Sequence, residues 1–449
     1  MDSPQIANRV PEGLLASSER RPTWKRVEAA ELFKRFFFLE ESLTRLCAAW
    51  IPAAARLGSK AALARMCWES ALTADALRTR VFELKYPSRL MQVGADKPLV
   101  DIFNVALHAP SARALFVALR TYIIPSLAEA YEGYLSVSDE LVDGPGRRFI
   151  AQAVRDKRQH VEALAAITTD EPAPSSAQGN TDAVWTAQIR DLLASLGGVS
   201  LGSIPKHMTI PDILPSGKPY VLAQEPARDN RYYVCDFYWP DIIDPNYAYG
   251  EGLALQLRSA VSHINEVWAV ETAAAILVGL ADELGWEFVH DAARWLYDEA
   301  RHMGMGKYRL DAWGLSSSEI PLGRYIYQAC RDQDPIYRLG MLGYFETKNI
   351  GKKQQRAREF QRMGDKTSQM HMDFDWADET LHAEYGRRWL TALLERRSQP
   401  KSDWSQVLET CERLVQNRIA EATPEQSREI HEVAQHLLVR ATQLAPSPP

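Results

Sequence analysis

Two glutamates each precede a Glu-x-x-His pair by the same interval. Glu266 stands 33 residues before Glu299, which is followed by His302, and Glu346 stands 33 residues before Glu379, which is followed by His382. Carboxylates and imidazoles bind divalent ions, and four carboxylates and two imidazoles in this order form the ligand set of a carboxylate-bridged two-metal site in a four-helix bundle. A single Glu-x-x-His is weak, because about one arises by chance in a chain of this length. Glu287/His290 is such a pair, with Ala254 rather than a glutamate at the corresponding upstream position. The repeated interval, inside long helix-favouring stretches, is what chance does not readily supply.

Helix geometry accounts for the interval. Residues three apart share a face, so Glu299 with His302, and Glu379 with His382, reach one point from one helix. The gap folds into an antiparallel hairpin with roughly 15 residues, about 23 Å of helix, on each side of a turn. Turn formers lie in both gaps: Gly279, Asp282 and Gly285 in the first, Gly364 and Asp365 in the second. Residues 303–345 supply the long connection that lets two hairpins share one core.

The candidate ligands also interrupt apolar stripes. Phe288, Ala292, Trp295, Glu299 and His302 follow the rhythm of a buried helix face, as do Met372, Trp376, Glu379 and Ala383. A carboxylate in such a stripe is costly unless it is paired or metal-bound. Glu271 competes with Glu266, since it falls on the stripe of Ile264, Val267, Trp268, Ala274, Ala275 and Val278. The interval selects Glu266; the burial pattern selects Glu271.

Glu266-Val-Trp-Ala-Val, Asp298-Glu299-Ala-Arg-His302 and Asp378-Glu379-Thr-Leu-His382 resemble the motifs of the ferritin-like non-heme di-iron carboxylate superfamily. All six ligand positions of its pattern are matched, over roughly residues 250 to 398. The resemblance implies an all-α, ferritin-like four-helix bundle with a di-metal site. It also implies Glu299 and Glu379 as bridging, catalytic carboxylates, and Glu266 and Glu346 as terminal ones. It is specific for fold and cofactor but not for substrate.

Carboxylates with one imidazole per metal suit Fe(II) or Mn(II) rather than the thiolate-rich sites of structural zinc. The resemblance implies the activity of an O2-dependent oxidase or oxygenase with two Fe ions, a Mn/Fe pair being compatible, oxidising C–H or nitrogen in a small organic substrate. No flavin, haem or nicotinamide motif is present, so electrons are expected from an external reductase or from the substrate. The same ligands would serve a ferritin-like tRNA hydroxylase, an iron-binding ferroxidase or a non-catalytic metal-binding scaffold.

The chain has 449 residues, 46% of them hydrophobic, which suffices for two or three domains with ordinary cores. A net charge of −6 gives no overall pull toward nucleic acid or anionic membranes. Cys47, Cys67, Cys235, Cys330 and Cys411 are odd in number and scattered, as expected of reduced thiols in the cytoplasm. No uninterrupted apolar run has the length of a membrane span. Residues 1–26 read as a flexible polar arm without the apolar core of an export signal.

Residues 27–168 read as a second helical bundle, with helical stretches at Ala29 to Leu57, Lys60 to Glu83, Pro98 to Val137 and Arg147 to Thr168. Gly58, Pro87, Gly94, Pro110 and Gly144-Pro145-Gly146 mark its breaks. The order of elements suggests a degenerate duplicate of the later bundle, in which Glu40, Glu41, Glu69, Glu129, Asp156 and His160 have structural roles. Residues 169–248 form a polar linker, one helix from Trp185 to Leu196 and an irregular cover with a β-favouring run from Tyr232 to Trp239. The metal-binding bundle occupies 249–400. Residues 401–449 add two helices around Thr423-Pro424 that buttress it or form a homodimer contact.

Lys348, Lys352, Lys353, Arg356, Arg358 and Arg362 make the helix after Glu346 strongly basic, and a solvated face is the simplest reading. An anionic substrate, carrier protein or RNA is the alternative. His263 is placed to orient a ligand. Tyr297 and Tyr344, each two residues before a ligand, are expected to pack ordinarily, and His371 to lie at the surface.

Overall fold

A computed structural model describes residues 24–87, 91–205, 208–400 and 403–445. The expected N-terminal arm lies, as far as residue 23, outside the described residues. The chain is all-α, with one two-residue parallel strand pair among the described residues.

The first half is built on α1 (Arg26–Trp50) and α2 (Leu57–Glu83), an antiparallel hairpin. After α3 (Lys97–Val105), α4 (Ala112–Ala118) runs through a π-helical turn at Leu119–Ile123 into α5 (Ile124–Val137). Helix α6 (Glu140–Asp170) returns along α5 and α2. Phe33 and Phe36 of α1 pack on Tyr134 and Tyr131 of α5, closing a four-helix core.

Two expected breaks behave differently. Gly58 lies in the first turn of α2, and the chain reverses at residues 51–56 instead. Gly144-Pro145-Gly146 does not end a helix but follows a kink in α6 at Asp143 (φ −138°, ψ 40°). That conformation is held from outside, because Tyr134 Oη and Arg80 Nη2 both donate to the buried Asp143 carboxylate, at 2.6 and 2.7 Å.

Helix α7 (Ser176–Ser195) starts earlier than Trp185, taking up part of the expected linker. Ser175 caps it by accepting from the Gln178 N–H, and Asp182 fastens it to Ser111. Residues 197–250 form the expected cover. Among its described residues only β1 (Tyr233–Val234) is strand, paired in parallel with β2 (Pro321–Leu322), and α8 (Pro240–Ile243) is a single turn. The β-favouring run stays short because its partner is a two-residue piece of the crossover.

The second bundle begins with α9 (Gly252–Asn265) and α10 (Val267–Leu284), one rod interrupted at Glu266. This rod is, among the described residues, the stretch long and apolar enough to cross a membrane, and it is mostly buried in the bundle core. Gly285, at φ 84°, is the whole turn into α11 (Trp286–Ala312). A crossover containing α12 (Tyr325–Ala329) leads to α13 (Pro335–Arg362), and a turn at Gly364 (φ 73°) leads to α14 (Lys366–Arg396). Helix α10 packs on α13 and α11 on α14, so all four line one core. Gly306 lets α11 approach α9, since a Cβ there would lie 2.2 Å from the Ile264 backbone nitrogen.

The halves meet where α11 packs on α2. Between them Glu271 is fully buried with Lys60 at 2.8 Å and with Arg228. Helices α15 (Trp404–Ala420) and α16 (Pro424–Leu444) follow, the second opened by a Thr423/Gln426 capping box. Helix α15 lies against α13.

Candidate metal centre

Each Glu-x-x-His pair is held in the middle of a helix of about thirty residues whose first turn is fixed by a glycine or an Asp cap, at Gly285 for α11 and Asp365 for α14. The structure brings the six sequence-selected residues together. Glu266, Glu299 and His302 can share one ion, and Glu299, Glu346 and His382 another, with Glu299 common to both. His302 Nδ1 lies 3.5 Å from Glu266 Oε2 and 3.6 Å from Glu299 Oε2. His382 Nδ1 lies 3.2 Å from Glu299 Oε1 and 3.6 Å from Glu346 Oε1. Glu379 faces the same space, grouped with His302 and Asp375. Glu271 takes no part, being paired with Lys60 and Arg228.

The orientation of the imidazoles is set from behind. Nε2 of His302 hydrogen-bonds Asp378 at 3.2 Å, and Nε2 of His382 hydrogen-bonds Asp298 at 3.4 Å. Arg301 donates to both aspartates and Arg294 to Asp298. With Nε2 engaged, Nδ1 of each ring is left facing the carboxylates. Trp295 Nε1–H donates to Glu299 at 3.1 Å and to Glu346 at 3.4 Å. Asp298 and Asp378 were visible as the residues preceding each glutamate, but nothing in one sequence shows that each serves the other motif's histidine.

Sequence reasoning missed two members. Asp375 is fully buried and accepts from His263 Nε2 at 3.0 Å, while Arg309 donates to His263 Nδ1 at 2.6 Å. Burial and Arg309 push His263 down to about 3, so its ring is neutral and Nε2–H is the donor. Lys353 is not on a solvated face. It is 4% exposed and bonds Asp375 at 2.7 Å and Glu379. Both lay on the ligand stripes: Asp375 one turn before Glu379, and Lys353 two turns after Glu346.

Buried atoms without partners mark the fit to metal. Glu266 Oε2, Glu346 Oε2, Glu379 Oε2, His302 Nδ1 and His382 Nδ1 all lack a hydrogen bond. Such orphans are expensive in a protein interior, and here they converge in one place. The protonation pattern has the same origin. Burial opposes charge on His302 and His382, yet the carboxylates beside them hold both well above the usual imidazole range. Burial, offset by Lys353, pushes Glu266 up to about 8. Burial and the adjacent Glu346 raise Glu379, whereas the two imidazoles beside Glu299 outweigh burial and keep it far below the usual range. Protons therefore stand in for cations in this cluster.

The first half has the outline of such a site without its ligands. Buried Glu40 accepts from Tyr131 and from Lys157, both at 2.6 Å, and Lys157 also donates to Ser70. Lys157-x-x-His160 has the spacing of Glu-x-x-His with a lysine in place of the glutamate. His160 is spent on Glu69 at 2.7 Å. Glu41 pairs with Arg45, Asp156 accepts from Gln152, and Glu129 is exposed. Among the described residues no metal-competent group forms in this half. The decoy Glu287/His290 faces the first half: Glu287 pairs with Arg78 and His290 packs on Trp68.

Beside the centre is a cavity of about 280 Å³ whose wall includes Glu266, Glu299, Glu379, Trp268, Phe345 and Tyr325. Val415, Gln416 and Ile419 of α15 close one side of it.

Residues 220–436 match a family model described as "Protein of unknown function (DUF455)". The match takes in the whole second bundle and every residue of the centre, and leaves the first bundle outside it. No curated protein and no solved structure matches the chain.

Proposed function

We propose that this chain is a ferritin-like di-iron oxidase or oxygenase, acting with O2 on a small organic substrate held in the cavity beside the centre. The observation that carries this reading is the convergence of five partnerless ligand atoms from four helices on one buried point. Charge supports the same stoichiometry. Glu266, Glu299, Glu346, Asp375 and Glu379 bring five negative charges when ionised and Lys353 one positive, so two divalent ions leave the centre neutral with both imidazoles uncharged.

In this reading Glu266 and His302 would hold one ion and Glu346 and His382 the other, with Glu299 and Glu379 as carboxylates available to both. A bound ferrous pair supplies two electrons and open coordination positions for the activation of O2. The chain's own contribution is positional. Asp298 and Asp378 fix the rings, Trp295 fixes two carboxylates, and Trp268 packed on Phe345 gives the cavity an apolar wall. On this reading electrons would come from an external reductase or from the substrate, and the five unpaired cysteines fit a reducing cytoplasm.

The test is elemental analysis after anaerobic ferrous loading, followed by stopped-flow absorbance on mixing with O2. About two irons per chain and a transient visible band are expected from this class of site. One iron or none, with no transient, refutes the reading.

A further inference from the structure

Four cations line the cavity, Arg258, Lys348, Lys353 and Arg356; Arg258 and Arg356, which share the Tyr249 ring, mark an end apart from the candidate metal ligands. Three of them are balanced. Lys353 is held by Asp375 and Glu379, Lys348 lies 3.2 Å from Glu412, and Arg258 makes a two-pronged bond to Asp241 at 2.9 and 3.1 Å. Arg356 has no carboxylate partner among the described residues. Its guanidinium lies 4.4 Å from the centre of the Tyr249 ring, against which Arg258 also packs at 5.0 Å.

Arg258 adds an independent indication of a ligand. It is 6% exposed, yet its Nη1 has no hydrogen-bond acceptor, and neither has the buried hydroxyl of Tyr249 beside it. A buried guanidinium N–H left unpaired is costly, and the natural partner for it is an oxygen anion brought by a ligand.

We infer that this end of the cavity binds the carboxylate of a small organic acid, with Arg356 as its charge partner and Arg258 Nη1 as a second donor. One cation without a carboxylate partner matches a singly charged group rather than a phosphate monoester, whose charge is near −2. The aromatic wall of Trp268, Phe345 and Tyr325 takes the apolar body of the acid. Arg356 lies ten residues beyond Glu346 on α13, about 15 Å of helix rise. Side chains on a helix lean toward its N-terminus, so the anion sits less than that distance from the level of the ligands, within the span of an arylalkyl or medium-chain acid. The choice of substrate class rests on the proposed function; the binding of the anion does not.

The experiment is calorimetric titration of the full chain with benzoate, 4-phenylbutanoate and octanoate, the primary amide of each, and phenyl phosphate. It is run on the wild type, Arg356→Gln and Arg356→Lys, with iron content after ferrous loading measured on the same samples. At least one acid is expected to bind, its amide and phenyl phosphate at least tenfold more weakly. Arg356→Gln should lose at least tenfold, Arg356→Lys less, and all three proteins should carry the same iron. No binding of any acid, equal binding of acid and amide, preference for phenyl phosphate, or unaltered binding by Arg356→Gln overturns the inference. Acid binding that depends on Arg356 in a chain that takes up no iron would uphold the anion site and refute the di-iron reading.

Discussion

Asp298 on α11 hydrogen-bonds His382 on α14 at 3.4 Å, although 84 residues separate them in sequence. Asp378 completes the exchange by accepting from His302 at 3.2 Å. Each Glu-x-x-His motif therefore carries the residue that aligns the other motif's imidazole, and neither half-site can be oriented without the opposite hairpin. Asp298→Asn and Asp378→Asn should each weaken iron binding by roughly 10–100-fold, the usual cost of losing such a partner. Competition against a calibrated chelator measures it, and wild-type affinity in both variants would exclude the orienting role.

Removing ligands should separate the two ions. Glu299 is common to both groups, so Glu299→Ala is expected to lose both irons, while His382→Ala loses one. Elemental analysis distinguishes the cases, and two irons retained in Glu299→Ala would show that Glu299 does not bridge.

On the proposed reading, an incoming metal competes with protons at the centre. Glu266 is pushed up to about 8 by burial, from an ordinary 4.5, and both ligand histidines are raised as well. A group with a raised folded-state value binds more protons than in the unfolded chain. Its stabilising effect is complete below the unfolded value and disappears as pH rises through the folded one. For Glu266 the apo protein should thus lose stability between about pH 4.5 and 8, while iron affinity climbs over the same interval. Denaturant titrations of the apo form and metal titrations in an indicator dye report the two slopes; an affinity flat in pH contradicts the protonated state.

Lys353 is the fixed cation of the centre. Lys353→Met leaves Asp375 and Glu379 without it, and breaking a buried pair from one side costs about 3–5 kcal/mol. The metal-free variant should melt lower than the wild type, and ferrous ion should raise its Tm by more. Calorimetry of the two proteins with and without iron provides the comparison, with identical apo melting as the contrary result.

Glu271 should behave as a structural charge. With Lys60 and Arg228 closing around it between the halves, Glu271→Ala is expected to destabilise by about 3–5 kcal/mol and to keep its iron. Loss of metal without loss of stability would return Glu271 to the ligand set.

The interval between ligands exposed the two hairpins because a helix pair returns a side chain to the level of its partner only at one length. It exposed Glu299, His302 and the other four for the same reason. Lys353 was hidden by its neighbours: Lys352, Arg358 and Arg362 on the same helix are charged and mostly solvent-facing, so its cluster resembled a surface. Asp375 was hidden by Trp376, whose bulk drew the stripe one position too far; the ring is only half-buried. The start of α7 was lost in Pro-rich text, where a Ser175 cap and the reach of Asp182 outweighed composition. Long-range partnerships such as Asp298 with His382 have no local signature, since they arise only when two hairpins are already packed.

An ammonium occupies the centre of the first bundle, whereas the second gathers candidate metal ligands, and Lys157 reaches Glu40 on a tether made with the polypeptide. Such a charge cannot be chelated, diluted or exchanged for a wrong element. The buried carboxylate of the first half is accordingly balanced by the chain itself, with no call on the mineral supply of the cell. Helix α11 leans on a half whose central charge is already paired.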